Sequence, residues 1–435
     1  MFRFLTRKLY LCNQLIKNRM RNSLSETAPL VKIAIGLMAG IVVEKYVISS
    51  FMLFPLLVGV VLLAGCLWRH ERLQSAVLVL SFVVLGAVLM QRAQQETPHV
   101  SRLDRSKTYF LEQRSKLLDR LSDHGVDGSV YAVVAAMALG DKSQLTKDLK
   151  ETYAVTGASH ILALSGLHLS LIYTLLSLLL THRRWQVTSQ VVIIVCVWLY
   201  VFLVGMSASV VRSALMLTVY ALLSLGHRDK MSVNTLAFAA IVMLLINPRS
   251  LFDIGFQLSF VAVLSILLFY PLFEGVWSQS FLLDHRAFKW LWTMLAVSCA
   301  AQIGVAPLIA YYFGRFSNYF LLTNLVVIPA ATLILYLSLV VLLIPSLAYL
   351  LIYIVDTLNR LLAWIATLPG ASIEGLHPTL LQVSMVYVVI AAVYLLVDRL
   401  HILEKQKSQG GDGEHREKGG DEGHLCHQRG VFLMA

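Results

Sequence analysis

The chain has 435 residues, of which 57% are hydrophobic and only 14% charged, and its mean hydropathy is +0.72. So apolar a composition excludes a soluble globular protein of this length and points to an integral membrane protein. The formal net charge of +11 fits retention of basic segments at the inner face of a membrane as well as attraction to anionic lipid or nucleic acid, so charge alone selects no partner.

Residues 1–28 predict a basic amphipathic helix on the inner membrane surface. Phe2, Leu5, Leu9, Cys12 and Ile16 share one helical face, with Arg3, Arg7, Lys8, Lys17, Arg19 and Arg21 around it. Apolar runs over 29–48, 51–68 and 73–91 follow as a first transmembrane group, residues 29–91. A run of about 18 apolar residues is enough for a helix to cross a hydrocarbon core of about 30 Å. Glu44 and Lys45 fall near the end of the first run, where they reach the interface, and Arg69 and Arg72 favour a cytoplasmic turn.

Residues 92–159 form the longest polar section, read as short external helices packed at the mouth of the membrane domain. Phe110, Leu117, Leu118 and Leu121 make one helical stripe; Leu145, Leu149 and Tyr153 make another. Between them an apolar stretch ends at Gly140, a residue suited to a helix terminus, and Asp141 or Ser143 is placed to cap the next helix.

A second membrane group, residues 160–400, contains apolar runs over 160–180, 185–206, 207–225, 233–246, 254–273, 288–313, 320–344, 347–368 and 380–397. Basic turns at Arg183/Arg184 and Arg228/Lys230 alternate with an orientation that leaves both termini cytoplasmic. The reading is an all-α, multi-pass membrane protein of about 10–12 spanning helices, with segments 233–246 and 347–368 the odd members. Residues 401–435 read as a solvated polar tail. Its His424, Cys426 and His427 are metal-ligand types, but a lone HxCH in a solvated tail more often binds nothing, and the five scattered cysteines give no disulfide framework, so neither metal nor cofactor is expected.

Polar groups inside the apolar runs are the functional candidates. The stretch TGASHILALSGLHLS sets His160, Ser165 and His168 where they must face protein or a water-filled path. In an unbroken helix Ser165 and His168 share a face, but a nucleophilic pair would still lack a carboxylate to orient it, so a polar wall or helix packing is the reading and no enzyme is expected. Gly166 permits close helix contact or local unwinding. Arg212 lies in VVRSALML, where an unpaired guanidinium costs about 2.5–3.5 kcal/mol to insert. Asp253 is one partner for it, a passing phosphate another. NPRSLFDIGFQLSF combines a helix stop at Pro248 with Asp253, Gly255 and Gln257, while Pro307 predicts a kink and Asn324 with Pro329 an interrupted span. Several broken, polar-bearing helices favour transport over a passive anchor.

The order of these motifs resembles the membrane competence domain of the ComEC DNA-uptake family. ALGDKSQLTKDLKETYAVTGASHILALSGLHLSL, GMSASVVRSALML, LLINPRSLFDIGFQLSF and APLIAYYFGRFSNYFLLTNLVVIPA carry the resemblance, over residues 128–345. It implies a channel for one strand of transforming DNA across the bacterial cytoplasmic membrane. Its functional positions would be Asp141, His160, Ser165, Gly166, His168, Arg212, Asp253, Gly255, Gln257 and Asn324. Implied partners are single-stranded DNA, membrane lipid, separate nuclease, DNA-receptor and motor proteins, and further copies of the chain. A smaller-solute transporter and a non-conducting assembly subunit are the alternatives. Family members commonly also carry an external OB-like domain and a metallo-β-lactamase-like domain. Only residues 92–106 stand where the first would be, and no HxHxDH motif is present, so no nuclease activity is expected from this polypeptide.

Overall fold

The computed structural model describes residues 29–46, 71–95, 102–180, 186–225, 233–277, 281 and 284–415. The N-terminal amphipathic segment, the run over 51–68, the two basic turns and the His424–His427 tail lie outside these residues. Backbone in hydrocarbon must satisfy its own hydrogen bonds, so the apolar runs become helices. In chain order these are α1 (Pro29–Tyr46), α2 (Glu71–Gln95), α3 (Arg102–Asp123), α4 (Gly128–Leu139), α5 (Lys147–Val155), α6 (Ser159–Leu162), α7 (Gly166–Leu180) and α8 (Gln186–Leu203). They continue with α9 (Ala208–Leu225), α10 (Val233–Ile246), α11 (Ile254–Glu274), α12 (Arg286–Phe313), α13 (Phe320–Val341), α14 (Ala348–Ala366) and α15 (Leu380–His415).

Among the described residues, seven helices are long and apolar enough to cross a membrane, and four shorter apolar helices accompany them. The protein is an all-α, multi-pass membrane protein. Residues up to Thr379 form one compact unit, and α15 belongs to a second.

Among the described residues the first unit is built on three larger apolar clusters and a small one, Val84, Ala87 and Val88, within α2. Short α4 lies at the centre of the largest, with Ala132, Val133, Ala135, Ala136 and Met137 all buried. Its small side chains let α3, α13 and α14 close around it through Leu121, Leu335 and Leu358. Helix α14 buries Leu351, Val355, Leu358 and Leu362, a spacing of three and four residues that keeps one face inward. On that helix Asn359 accepts a 2.8 Å hydrogen bond from Tyr153 Oη of α5, and Asp356 pairs with Arg360 one turn on. The polar residues of the odd segment 347–368 are thus partly spent on contacts within the protein.

The second cluster joins α1, α2, α10 and α11. Gly40 and Gly86 let the backbones of α1 and α2 meet with no room for a side chain at either position. In the third, α7, α8 and α9 pack through Leu169, Ile193, Val201, Val210 and Ala214. A two-stranded antiparallel sheet, β1 (Arg315–Ser317) with β2 (Ser372–Glu374), closes one end. There Arg315 bridges to Glu151 of α5 at 2.6 Å.

The structure corrects three local expectations. Residues 160–180 are not one helix: the chain leaves helical conformation at 163–165, dividing α6 from α7. Helix α5 is capped by Thr146, whose side chain accepts from Leu149 N at 3.2 Å, because that helix begins at Lys147. Asp141 and Ser143 instead close the preceding turn, with Ser143 N donating to Asp141 Oδ1 at 3.1 Å. Finally, α13 runs without the interruption expected at Asn324 and Pro329.

Candidate functional site

The break at 163–165 creates the first half of the site. Ser165 stands at the N-cap position of α7 and His168 is its third residue, a spacing at which the side chain of the third residue reaches back to the cap. Ser165 N donates to His168 Nδ1 at 3.3 Å and Ser165 Oγ lies 3.1 Å from the same nitrogen. The imidazole therefore fills the place that Glu or Gln takes in a capping box. This local geometry accounts for the three-residue spacing. His168 is fully buried, and its Nε2 has no hydrogen-bond partner.

Gly166 brings α7 against α9. A Cβ there would lie 2.8 Å from Ser213 Oγ, so the first turn of α7 sits one residue from Arg212. That arginine is 1% exposed. One terminal nitrogen donates to Gly255 O of α11 at 2.6 Å, while Nε and the other terminal nitrogen are buried without a partner. The guanidinium also lies 5.7 and 5.8 Å from the ring centroids of Phe256 and Phe260, a cation–π arrangement that recovers part of the cost of burial. Asp253 does not take the ion-pair role: it is close enough to interact electrostatically with Arg212, yet the two are outside salt-bridge distance. It occupies the N-cap position of α11, exposed, with no side-chain cap bond.

One turn further along α11, Gln257 ties the junction to its neighbours. Its Nε2 donates to Leu251 O at 3.0 Å, and its Oε1 accepts from Tyr312 Oη of α12 at 2.5 Å. The structure thus joins Ser165, Gly166, His168, Arg212, Gly255 and Gln257 through α7, α9 and α11. Asp141 is attached through its turn: Gly140, left-handed at φ 73°, packs against Leu164 next to Ser165. His160 is exposed, with Nδ1 3.0 Å from Gly157 O, and lies near enough to His168 to interact electrostatically. Asn324 stands apart in the first turns of α13, where its Oδ1 and the neighbouring Thr323 Oγ1 are buried without partners.

Sequence reading missed Ser213, Phe256, Phe260 and Tyr312. Ser213 follows Arg212 directly, and the small-residue pattern SASVVRSA was the available signal for a close helix contact. The bond from Tyr312 to Gln257 spans 55 residues, and no local pattern announces it. Among the described residues no group of three or more His, Cys, Asp or Glu side chains is placed to hold a metal.

The competence protein family matches residues 137–400, a span that holds every residue of this junction. The chain is 31% identical over 205 residues to ComE operon protein 3 of Bacillus subtilis, covering 46% of this chain and 24% of that protein. It is 31% identical over 200 residues to an uncharacterized protein of Aquifex aeolicus, covering 46% of this chain and 45% of that one. Over 151 residues it is 24% identical to the uncharacterized protein YcaI of Escherichia coli, covering 33% and 20%. The chain thus spans less than half the length of these curated relatives. No solved structure matches it.

Proposed function

Since the chain belongs to the competence protein family, we propose that it is a membrane channel component for uptake of single-stranded transforming DNA across the bacterial cytoplasmic membrane. A phosphate chain cannot cross hydrocarbon, so such a component must offer a wet route with contacts weak enough to let the strand advance. The observation that carries the reading is Arg212, a buried guanidinium with one backbone partner and two unpartnered nitrogens at the meeting point of three membrane helices. Stability does not account for a charge kept there, since a buried cation is costly unless its donors are met. A phosphate oxygen supplies what Gly255 O alone does not.

In this reading Arg212 makes the electrostatic contact, and His160, Ser165, His168 and Gln257 line or shape the route. Asp141, Gly166, Asp253, Gly255 and Asn324 set the helix ends and close approaches around it. The junction lies toward the outer face, residues 92–159 stand outside, and both termini are cytoplasmic. A nuclease, a DNA receptor and a motor are separate partners. No catalytic role is assigned, because the Ser165–His168 pair is already engaged in capping α7.

The test is transformation frequency in a strain lacking its own copy, complemented with the native chain or with Arg212→Gln, with membrane abundance measured for both. The expected result is rescue by the native chain and at least a tenfold lower frequency with Arg212→Gln at equal abundance, the order of effect of one charge-assisted contact. Equal transformation by the two chains overturns the role of Arg212. Failure of both, when properly inserted, overturns the channel reading.

A further inference from the structure

At the end of the first unit where Arg212 meets Gly255, three separate segments bring aromatic rings and cations together. Tyr46, the last residue of α1, is 69% exposed and meets Phe252 edge-on, with centroids 6.1 Å apart. Lys45 Nζ lies 3.5 Å from the centroid of Phe252. At the end of α12, Tyr311 is 39% exposed and packs edge-on to Tyr312 at 5.0 Å. Tyr312 is the residue that bonds Gln257, and it is near enough to Tyr46 to interact with it electrostatically. Arg249, exposed in the turn before α11, donates to Ala93 O at the end of α2. Among the described residues of these segments, Lys45 and Arg249 bring positive charge and Asp253 an exposed carboxylate, while Glu44 is buried.

Aromatic side chains at the end of a membrane helix commonly serve as interfacial anchors. Three features go beyond anchoring. Tyr46 of α1 and Phe252 of the turn before α11 meet directly, and Tyr311 of α12 joins them through Tyr312, so rings from three segments gather at this end. They are interleaved with two cations. They also adjoin, through Gln257 and Gly255, the junction that holds Arg212. Unpaired bases stack on exposed aromatic rings while nearby cations hold the phosphates, and such stacking tolerates any sequence because every base has a π-face. We propose that Tyr46, Phe252 and Tyr311 form a base-stacking platform for single-stranded nucleic acid, with Lys45 and Arg249 as its phosphate contacts. This inference rests on the DNA-uptake reading and adds to it a second mode of recognition, through the bases.

The experiment measures binding of the full chain in nanodiscs to a fluorescent oligothymidylate and to an abasic strand of the same length. The native chain is expected to bind the thymidylate about tenfold more tightly. Tyr46→Ala and Tyr311→Ala should each reduce that ratio, leaving affinity for the abasic strand unchanged, while Tyr46→Phe, which keeps the ring, should preserve it. Equal binding of both strands by the native chain overturns the platform and leaves the channel reading standing. Binding of neither strand overturns both. A ratio unchanged in the two alanine variants overturns the assignment to these rings.

Discussion

The shell around α4 and the junction around Arg212 are both buried, and they are buried in opposite ways. Helix α4 contributes small and branched apolar side chains to its neighbours, and Tyr200 Oη of α8 finds the carbonyl of Ala138 at its end, 2.7 Å away. At the junction His168 and Arg212 are equally hidden, yet three of their nitrogens have no partner. Packing explains the first region by itself. The second carries polar groups that a stable bundle does not need, and it is held in place by devices that cost little: a helix cap at Ser165, a close approach at Gly166 and one carbonyl at Gly255. The difference separates the part of the protein that holds its shape from the part in which an exchangeable contact is possible.

Substitutions that act on one region alone sharpen this contrast. The largest loss of stability is expected from Leu335→Ala, which opens a cavity beside α4 where Leu335 is fully buried. The change should cost about 2–5 kcal/mol, read as a lower unfolding midpoint of the purified protein in detergent. Transformation should fall only as far as membrane abundance does. A smaller loss is expected from Ser165→Ala, which removes the hydroxyl beside His168 Nδ1 but keeps the backbone donor. Loss of the one contact that the hydroxyl makes, with His168 Nδ1, costs about 0.5–1.5 kcal/mol, and the same unfolding assay checks it. A drop as large as that of Leu335→Ala would mean that the break before α7 depends on Ser165 far more than a cap allows.

The contrast also explains what could be read in advance. Helices of the apolar runs, α14 among them, were legible because length and hydropathy dictate them, and α3 because Phe110, Leu117, Leu118 and Leu121 form one helical stripe. The break at 163–165 was not legible as such: Ala163 and Leu164 are ordinary helix formers, and only the capping arrangement of Ser165 with His168 reveals why α7 starts where it does. Asn324 and Pro329 suggested an interruption, but a membrane helix tolerates proline when neighbouring groups take up the freed carbonyls. Arg212 stood out because its charge is so costly in an apolar run. Its partner did not, because a backbone carbonyl leaves no trace in a sequence, whereas Asp253 did and drew the pairing toward itself.

The smallest change in stability is expected where the functional effect is greatest. Arg212→Met replaces the guanidinium with an apolar side chain of similar reach between Phe256 and Phe260. It gives up one hydrogen bond to Gly255 O and relieves the burial of an incompletely partnered cation, two effects of opposite sign that should cancel to within about 1 kcal/mol. The unfolding midpoint should therefore stay near that of the native chain while transformation falls at least as far as with Arg212→Gln, because methionine offers a phosphate no donor. A midpoint lowered as much as by Leu335→Ala would instead make Arg212 a structural strut, and the two buried regions would then differ in composition but not in purpose.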